Sequence, residues 1–229
     1  MAALAMVIFA VVGSALLALI TRSGVAAIGL SLLSPALVLN GQIWRLVTWA
    51  FFELNGQSLL FGSLMLGFFG RDLASLWGGA RYLGVCVGVA LVSGVLTTLL
   101  GLAWGDVGAS QYLSIWPLAD ALTIAWAMLF PNRTILFMLV LPAAGKNLFY
   151  LTVGITALFS VMYGLSNFVP HFFAMGAIYV YIRGGTALAA QFRLNRLLAP
   201  KRSNPGLKVV EGGWNKDKRS GPNGSGWVH

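Results

Sequence analysis

His171 is the residue in this sequence with the most chemistry open to it. It stands in Phe168-Val169-Pro170-His171-Phe172-Phe173-Ala174-Met175-Gly176, at the mouth of a long apolar stretch, while the other histidine, His229, lies in a polar tail. An imidazole entering a helix of hydrocarbon length is costly to desolvate, and in a membrane protein it marks a functional site by default. Few polar groups in the other apolar stretches could meet it: Ser110, Ser114, Asp120 and Asn147. Asp120 lies about one turn inside a helix that Pro117 is suited to open, since the N–H that proline lacks is not needed in a first turn. A carboxyl group at that depth must be paired, protonated or wet. Two arrangements would satisfy it, a hydrogen bond to His171 or a protonated carboxyl bonded to a backbone carbonyl. Ser114 precedes the same helix start, near free backbone N–H groups and the positive end of the helix dipole, a setting that can hold an oxyanion. Asn147 follows Lys146 at a helix end, where an interfacial role accounts for it.

The elements that position these groups are membrane helices. Of 229 residues, 58% are hydrophobic and 9% charged, whereas a soluble domain carries roughly 25% charge. Apolar runs near the length of a bilayer crossing predict six helices, at about 4–20, 59–77, 81–104, 113–130, 147–165 and 170–190. The expected fold is thus an all-α, polytopic bundle of six transmembrane helices. Met1 to Ile20 lacks a basic leader and a convincing cleavage site, so it reads as a retained first helix rather than a signal peptide. Residues 24–40 are apolar but interrupted by Ser31, Ser34 and Pro35, and are expected at the interface rather than across the bilayer. Residues 41–58 form a membrane-associated first loop in which Trp44 and Trp49 accompany Arg45 and Glu53, a mixture suited to the headgroup layer. If the fourth helix runs from Pro117 to Phe130, its 14 residues cover about 21 Å, short of a hydrocarbon core of about 30 Å. Its N-terminus then sits below the surface, in a wet cavity or against protein.

Charge gives an orientation. Thirteen of the 15 basic residues fall on one side of the six predicted helices, so the positive-inside rule puts both termini in the cytoplasm. Residues 1–190 read as the membrane domain and 191–229 as a basic, flexible cytoplasmic tail rich in glycine and proline. That tail can touch anionic lipid headgroups. It carries no motif for nucleic acid, which is not an expected partner. Cys86, the single cysteine, reads as a small core hydrophobe and excludes an intrachain disulfide. Two histidines and one cysteine do not furnish a metal site, and no phosphate, zinc or calcium motif is present, so no cofactor is expected.

Several segments, in order, resemble the rhomboid superfamily of intramembrane serine proteases and their inactive relatives. Gly41-Gln42-Ile43-Trp44-Arg45-Leu46-Val47-Thr48-Trp49-Ala50-Phe51 resembles the Trp-Arg motif of that family's first long loop. Gly70 and Gly78-Gly79-Ala80-Arg81-Tyr82-Leu83 resemble the end of its second helix and the turn into the third. Leu129-Phe130-Pro131-Asn132-Arg133 resembles the end of its fourth, and Pro170-His171 the opening of its sixth, where active members carry the catalytic histidine. The similarity covers residues 1–190 and implies a six-helix fold with a serine nucleophile at the start of helix four. It also implies a His-x-x-x-Asn pair in helix two that helps bind the oxyanion. Here those two positions are Ser58 and Gly62, and Glu53 stands where the Trp-Arg loop commonly continues to a histidine. The serine motif is broken as well. Gly108-Ala109-Ser110-Gln111 keeps three of four residues but lies 21 residues before Pro131, farther than the family spacing. Ser114 is nearer the right depth, yet Tyr112 and Ile115 replace both glycines and obstruct the backbone N–H. On helix six the small-residue spacing after His171 is half kept, with Ala174 matching and Ile178 not.

Three functions fit these residues. The first is a non-proteolytic rhomboid-like protein that binds transmembrane segments of partner membrane proteins. The second is an intramembrane serine endopeptidase, with His171 as base and Ser114 or Ser110 as nucleophile. The third is a small transporter with a proton relay through Asp120 and His171. Missing oxyanion donors favour the first, and the expected partners are membrane proteins and the lipid bilayer.

Overall fold

The computed structural model describes residues 1–23, 28–137 and 141–198. In chain order the helices are α1 (Ala2–Arg22), α2 (Ile28–Ser31), α3 (Pro35–Leu39), α4 (Arg45–Thr48), α5 (Gly56–Trp77), α6 (Gly79–Ala103), α7 (Gly105–Ala109) and α8 (Trp116–Leu129). An antiparallel hairpin follows, β1 (Thr134–Phe137) and β2 (Leu141–Ala144), then α9 (Gly145–Tyr163) and α10 (Leu165–Leu198). Residues Met1–Ala189 form one compact unit. The tail from Ala199 onward lies outside the described residues.

Among the described residues, five helices are long and apolar enough to cross a membrane: α1, α5, α6, α9 and the Leu165–Gly185 part of α10. Their outward faces carry exposed Leu4, Phe9, Leu60, Phe68, Leu99 and Val161, as helices that face lipid rather than water must. The shorter apolar helix α8 has 14 residues, ten of them buried. Its apolar residues point in every direction, which suits a helix enclosed by others. It packs on α5 and α9, while α1 packs on α5. The large core gathers around α8, with Leu66, Phe69, Tyr82, Leu118, Leu122 and Trp126 among its members.

Single glycines set two of the connections. Gly78 between α5 and α6, and Gly164 between α9 and α10, have φ of 81° and 99°, the left-handed region that side chains with a β-carbon avoid. Each reverses the chain in one residue.

The all-α, polytopic reading holds, with one short antiparallel hairpin, β1 and β2, after α8. Two expected boundaries need correction. The first loop ends before residue 58: α5 opens at Gly56, where the Asn55 side chain accepts the Ser58 N–H at 3.0 Å, a helix N-cap. Within 24–40, expected at the interface, the described residues form the short helices α2 and α3 and a bridge from Leu33 to Tyr112. The last helix opens at Leu165, so Pro170 lies inside it rather than at its start.

That interior proline is accommodated by tertiary hydrogen bonds. Proline has no N–H to offer the carbonyl four residues back, here Ser166. The Tyr112 hydroxyl donates to that carbonyl at 2.9 Å. Ser93, fully buried on α6, donates its hydroxyl to the Pro170 carbonyl at 2.7 Å. A broken backbone ladder at membrane depth is tolerated where neighbouring elements fill it in this way.

Candidate functional site: the α8 N-terminus and His171

The residues before α8 are held by the first loop. Leu33 and Tyr112 exchange both backbone hydrogen bonds at 2.9 Å, and Ser114 N–H donates to the Trp49 carbonyl at 3.1 Å. The loop in turn is built on the Trp-Arg pair. Buried Arg45 donates from Nε to Gln42 Oε1 at 2.6 Å and from a terminal nitrogen to the Leu32 carbonyl at 2.7 Å. Trp44 Nε1 reaches the Leu30 carbonyl at 3.2 Å and the Thr48 hydroxyl the Ser31 carbonyl at 3.3 Å. Three successive carbonyls at the end of α2 are thereby taken up. These are the acceptors that a helix C-terminus leaves without partners.

On this frame Ser114 meets Glu53. The hydroxyl donates to Glu53 Oε2 at 2.9 Å and accepts the Trp116 N–H at 3.3 Å. The other oxygen of the Glu53 carboxylate accepts the backbone N–H groups of Leu54 and Asn55 at 3.1 and 3.2 Å. Glu53 N–H donates to Ser14 Oγ on α1 at 3.0 Å, which ties the end of the loop to the first helix. Glu53 is buried, and an acidic side chain near a helix N-terminus is favoured by the dipole. Ser110 is engaged elsewhere. Its hydroxyl donates to the Asp106 carbonyl at 2.6 Å, on the exposed side of α7.

His171 faces Asp120. His171 Nδ1 and Asp120 Oδ2 lie 2.7 Å apart, with side chains 13% and 14% exposed. Phe168 stacks beside the imidazole, the ring centroids 5.0 Å apart. Neither Ser110 nor Ser114 is hydrogen-bonded to His171. The structure therefore brings His171 to Asp120 and Ser114 to Glu53, and it leaves Ser110 apart from both pairs.

The floor of the site is filled. Ile115 is fully buried, and its Cγ2 occupies the space that a β-carbon on Gly62 would need. Ser58, the companion position, is in the capped first turn of α5. Ile115 thus fills the place beside Gly62 where a polar side chain on α5 would have to reach. Gly62→Ala is expected to destabilise the bundle by about 1–3 kcal/mol through overpacking, and Ile115→Ala in the same chain should recover part of the loss. Thermal unfolding can be followed with a thiol-reactive fluorophore, whose only target is the fully buried Cys86. Equal stability of Gly62→Ala and the unmodified chain would contradict the packing.

A second polar cluster escaped the sequence reading. Asp72 near the end of α5 accepts from Trp126 Nε1 at 2.8 Å and from Arg133 at 2.7 Å. The Arg133 guanidinium also lies over the Trp126 and Phe130 rings, at 6.0 and 5.7 Å. The signal was an aspartate, a tryptophan and an arginine each near the end of an apolar run, but nothing local pairs residues 54 to 61 positions apart.

Residues 4–183 match a family model, that of the eukaryotic integral membrane proteins termed DUF1751, which is grouped in a rhomboid-like clan. No curated protein matches the chain. Because that match covers most of its length, the chain belongs to this family of eukaryotic integral membrane proteins.

Proposed function

We propose that this is a non-proteolytic rhomboid-like membrane protein that binds transmembrane segments of partner membrane proteins. In this reading α8 is the sixth, shortened membrane helix and both termini are cytoplasmic. The observation that carries it is the state of the α8 N-terminus. The Ser114 hydroxyl is donated to Glu53, and Ile115 fills the space over Gly62. A serine hydrolase needs its nucleophile hydrogen-bonded to a base, and donors aimed at the developing oxyanion. Loss of one such donor costs about 10² to 10³ in rate. Ser58 and Gly62 stand at both donor positions that the family resemblance implies, and the imidazole that would be the base is held by Asp120.

The full chain, purified with a model transmembrane substrate, is expected to release no product. Ser114→Ala, Ser110→Ala and His171→Ala should leave the set of co-purifying membrane proteins unchanged. Cleavage that disappears in His171→Ala and in one of the serine variants would overturn the reading in favour of an intramembrane endopeptidase. The His171–Asp120 contact also favours a second reading, a proton-coupled transporter, which requires flux into proteoliposomes that Asp120→Asn abolishes.

A further inference from the structure

A groove of about 1240 Å³ runs along the outer seam of α1 and α5, away from the α8 site. Its walls are apolar: Leu4, Val7 and Val11 on α1, and Leu60, Leu64 and Phe68 on α5. Gly67 keeps its middle open, and Arg71, Asp72, Ser75 and Arg133 line one end. From Leu60 to Ser75 the groove follows fifteen residue steps of α5, about 22 Å of helix. One leaflet of a bilayer, headgroups included, is about 20–22 Å thick. The groove thus has the length of a single lipid and a single polar end.

That end has a sign. Arg133 is joined to Asp72 at 2.7 Å, whereas Arg71 is exposed and makes no hydrogen bond or ion pair. Two guanidinium groups against one carboxylate leave this end, which Met1 also lines, net positive and suited to a phosphodiester. A guanidinium suits that partner, because its planar fork matches phosphate oxygens. A second polar atom lies just behind the wall. Ser63 is 7% exposed, its Oγ has no hydrogen-bond partner, and it lines the groove eight residues before Arg71. Helical side chains lean toward the helix N-terminus, which brings the Arg71 guanidinium back toward Ser63. A lipid whose phosphate meets Arg71 then has its ester carbonyls nearest the unpartnered hydroxyl. A buried hydroxyl without a partner is costly, and an ester oxygen would relieve it. A wholly apolar transmembrane segment would satisfy neither Ser63 nor Arg71.

We propose that the α1–α5 groove holds one anionic glycerophospholipid, with its phosphate on Arg71 beside the Asp72–Arg133 pair and its acyl chains along α1 and α5. The inference does not rest on the proposed client binding: it is carried by the groove and its polar end alone.

The full chain, reconstituted in phosphatidylcholine bilayers with a minor share of phosphatidylserine, is extracted gently and weighed by native mass spectrometry. One retained phosphatidylserine per chain is expected. Arg71→Gln should lower its retention about fivefold, the worth of one basic residue at a membrane surface. Arg71→Lys should keep most of it, and Gly67→Leu, which fills the groove without altering charge, should displace the lipid. Unfolding followed at Cys86 shows that each variant is folded. Equal retention of phosphatidylcholine and phosphatidylserine would overturn the proposal, as would retention unchanged in both Arg71→Gln and Gly67→Leu. Displacement by free glycerol phosphate as readily as by lipid would also overturn it, because the acyl chains would then contribute nothing. A protein cross-linked at Leu64 in place of lipid would assign the groove to a partner helix instead.

Discussion

Arg45→Ala is expected to lower the stability of the bundle by about 3–5 kcal/mol, the value of two charge-assisted hydrogen bonds made by a buried guanidinium. Arg45 is 3% exposed, and its guanidinium holds Gln42 Oε1 and the Leu32 carbonyl at once. Removing it frees the end of α2 from α4 and leaves the Leu32 carbonyl without that donor. The loop also lies tight on α6. A β-carbon at Gly94 would come within 2.6 Å of the Leu46 carbonyl oxygen, so the backbone has no room to shift toward α6 in compensation. Followed at Cys86, the unfolding midpoint should fall by roughly 10 °C, at a few degrees per kcal/mol for a chain of this size. Arg45→Lys should recover less than half, because an ammonium group on a flexible stem does not reproduce the planar fork. Trp44→Phe, which removes a longer and more exposed hydrogen bond, should cost at most about 1 kcal/mol. A midpoint for Arg45→Ala within experimental error of the unmodified chain would mean that the Trp-Arg pair does not hold the loop.

That loop shows which parts of the molecule are legible in the sequence and which are not. Local chemistry was readable. Pro117 and Pro131 bracket an apolar run of the right length for a short helix, and α8 spans Trp116–Leu129. Paired tryptophans beside an arginine pointed to the headgroup layer, but not to the three carbonyls that Trp44, Arg45 and Thr48 take up, since those acceptors carry no sequence signature. Pro170 misled for a physical reason. Sequence rules put a proline at a helix start because its missing N–H is harmless there, yet the Tyr112 hydroxyl, 54 residues away, supplies the Ser166 carbonyl and lets the helix begin at Leu165. The hairpin was hidden because its short strands lie between basic Arg133 and Lys146 and resemble a loop. Glu53 was legible as a departure from the family pattern, though its acceptance of the Ser114 hydroxyl depends on the loop folding back onto α8. The broken serine motif favours Asp120 over a serine as the partner of His171, but the contact itself depends on the position of α10 beside α8.

The Asp120–His171 contact should be energetically coupled, with a coupling free energy of about 1.5–3 kcal/mol in a double-mutant cycle. At 2.7 Å, with both side chains about seven-eighths enclosed, each group is the other's only side-chain hydrogen-bond partner among the described residues. Asp120→Ala strands an imidazole between Phe168 and the core, and His171→Ala strands a carboxyl group inside α8. Either single variant should therefore cost about 3 kcal/mol, near the lower end of what breaking a buried pair costs. Asp120→Leu with His171→Phe removes both polar groups while keeping apolar volume, and should be markedly more stable than the sum of the two single substitutions predicts. Unfolding followed at Cys86, fully buried on α6, reads all four corners of the cycle without an added label site. The same variants separate structure from function. If the pair serves as a packing contact between α8 and α10, the doubly apolar variant should bind the same membrane partners as the unmodified chain. If the imidazole must exchange a proton, that variant should be folded yet inactive in proteoliposome flux. Coupling below about 0.5 kcal/mol, the scatter expected of independent sites, would show that the contact does not hold α8 to α10.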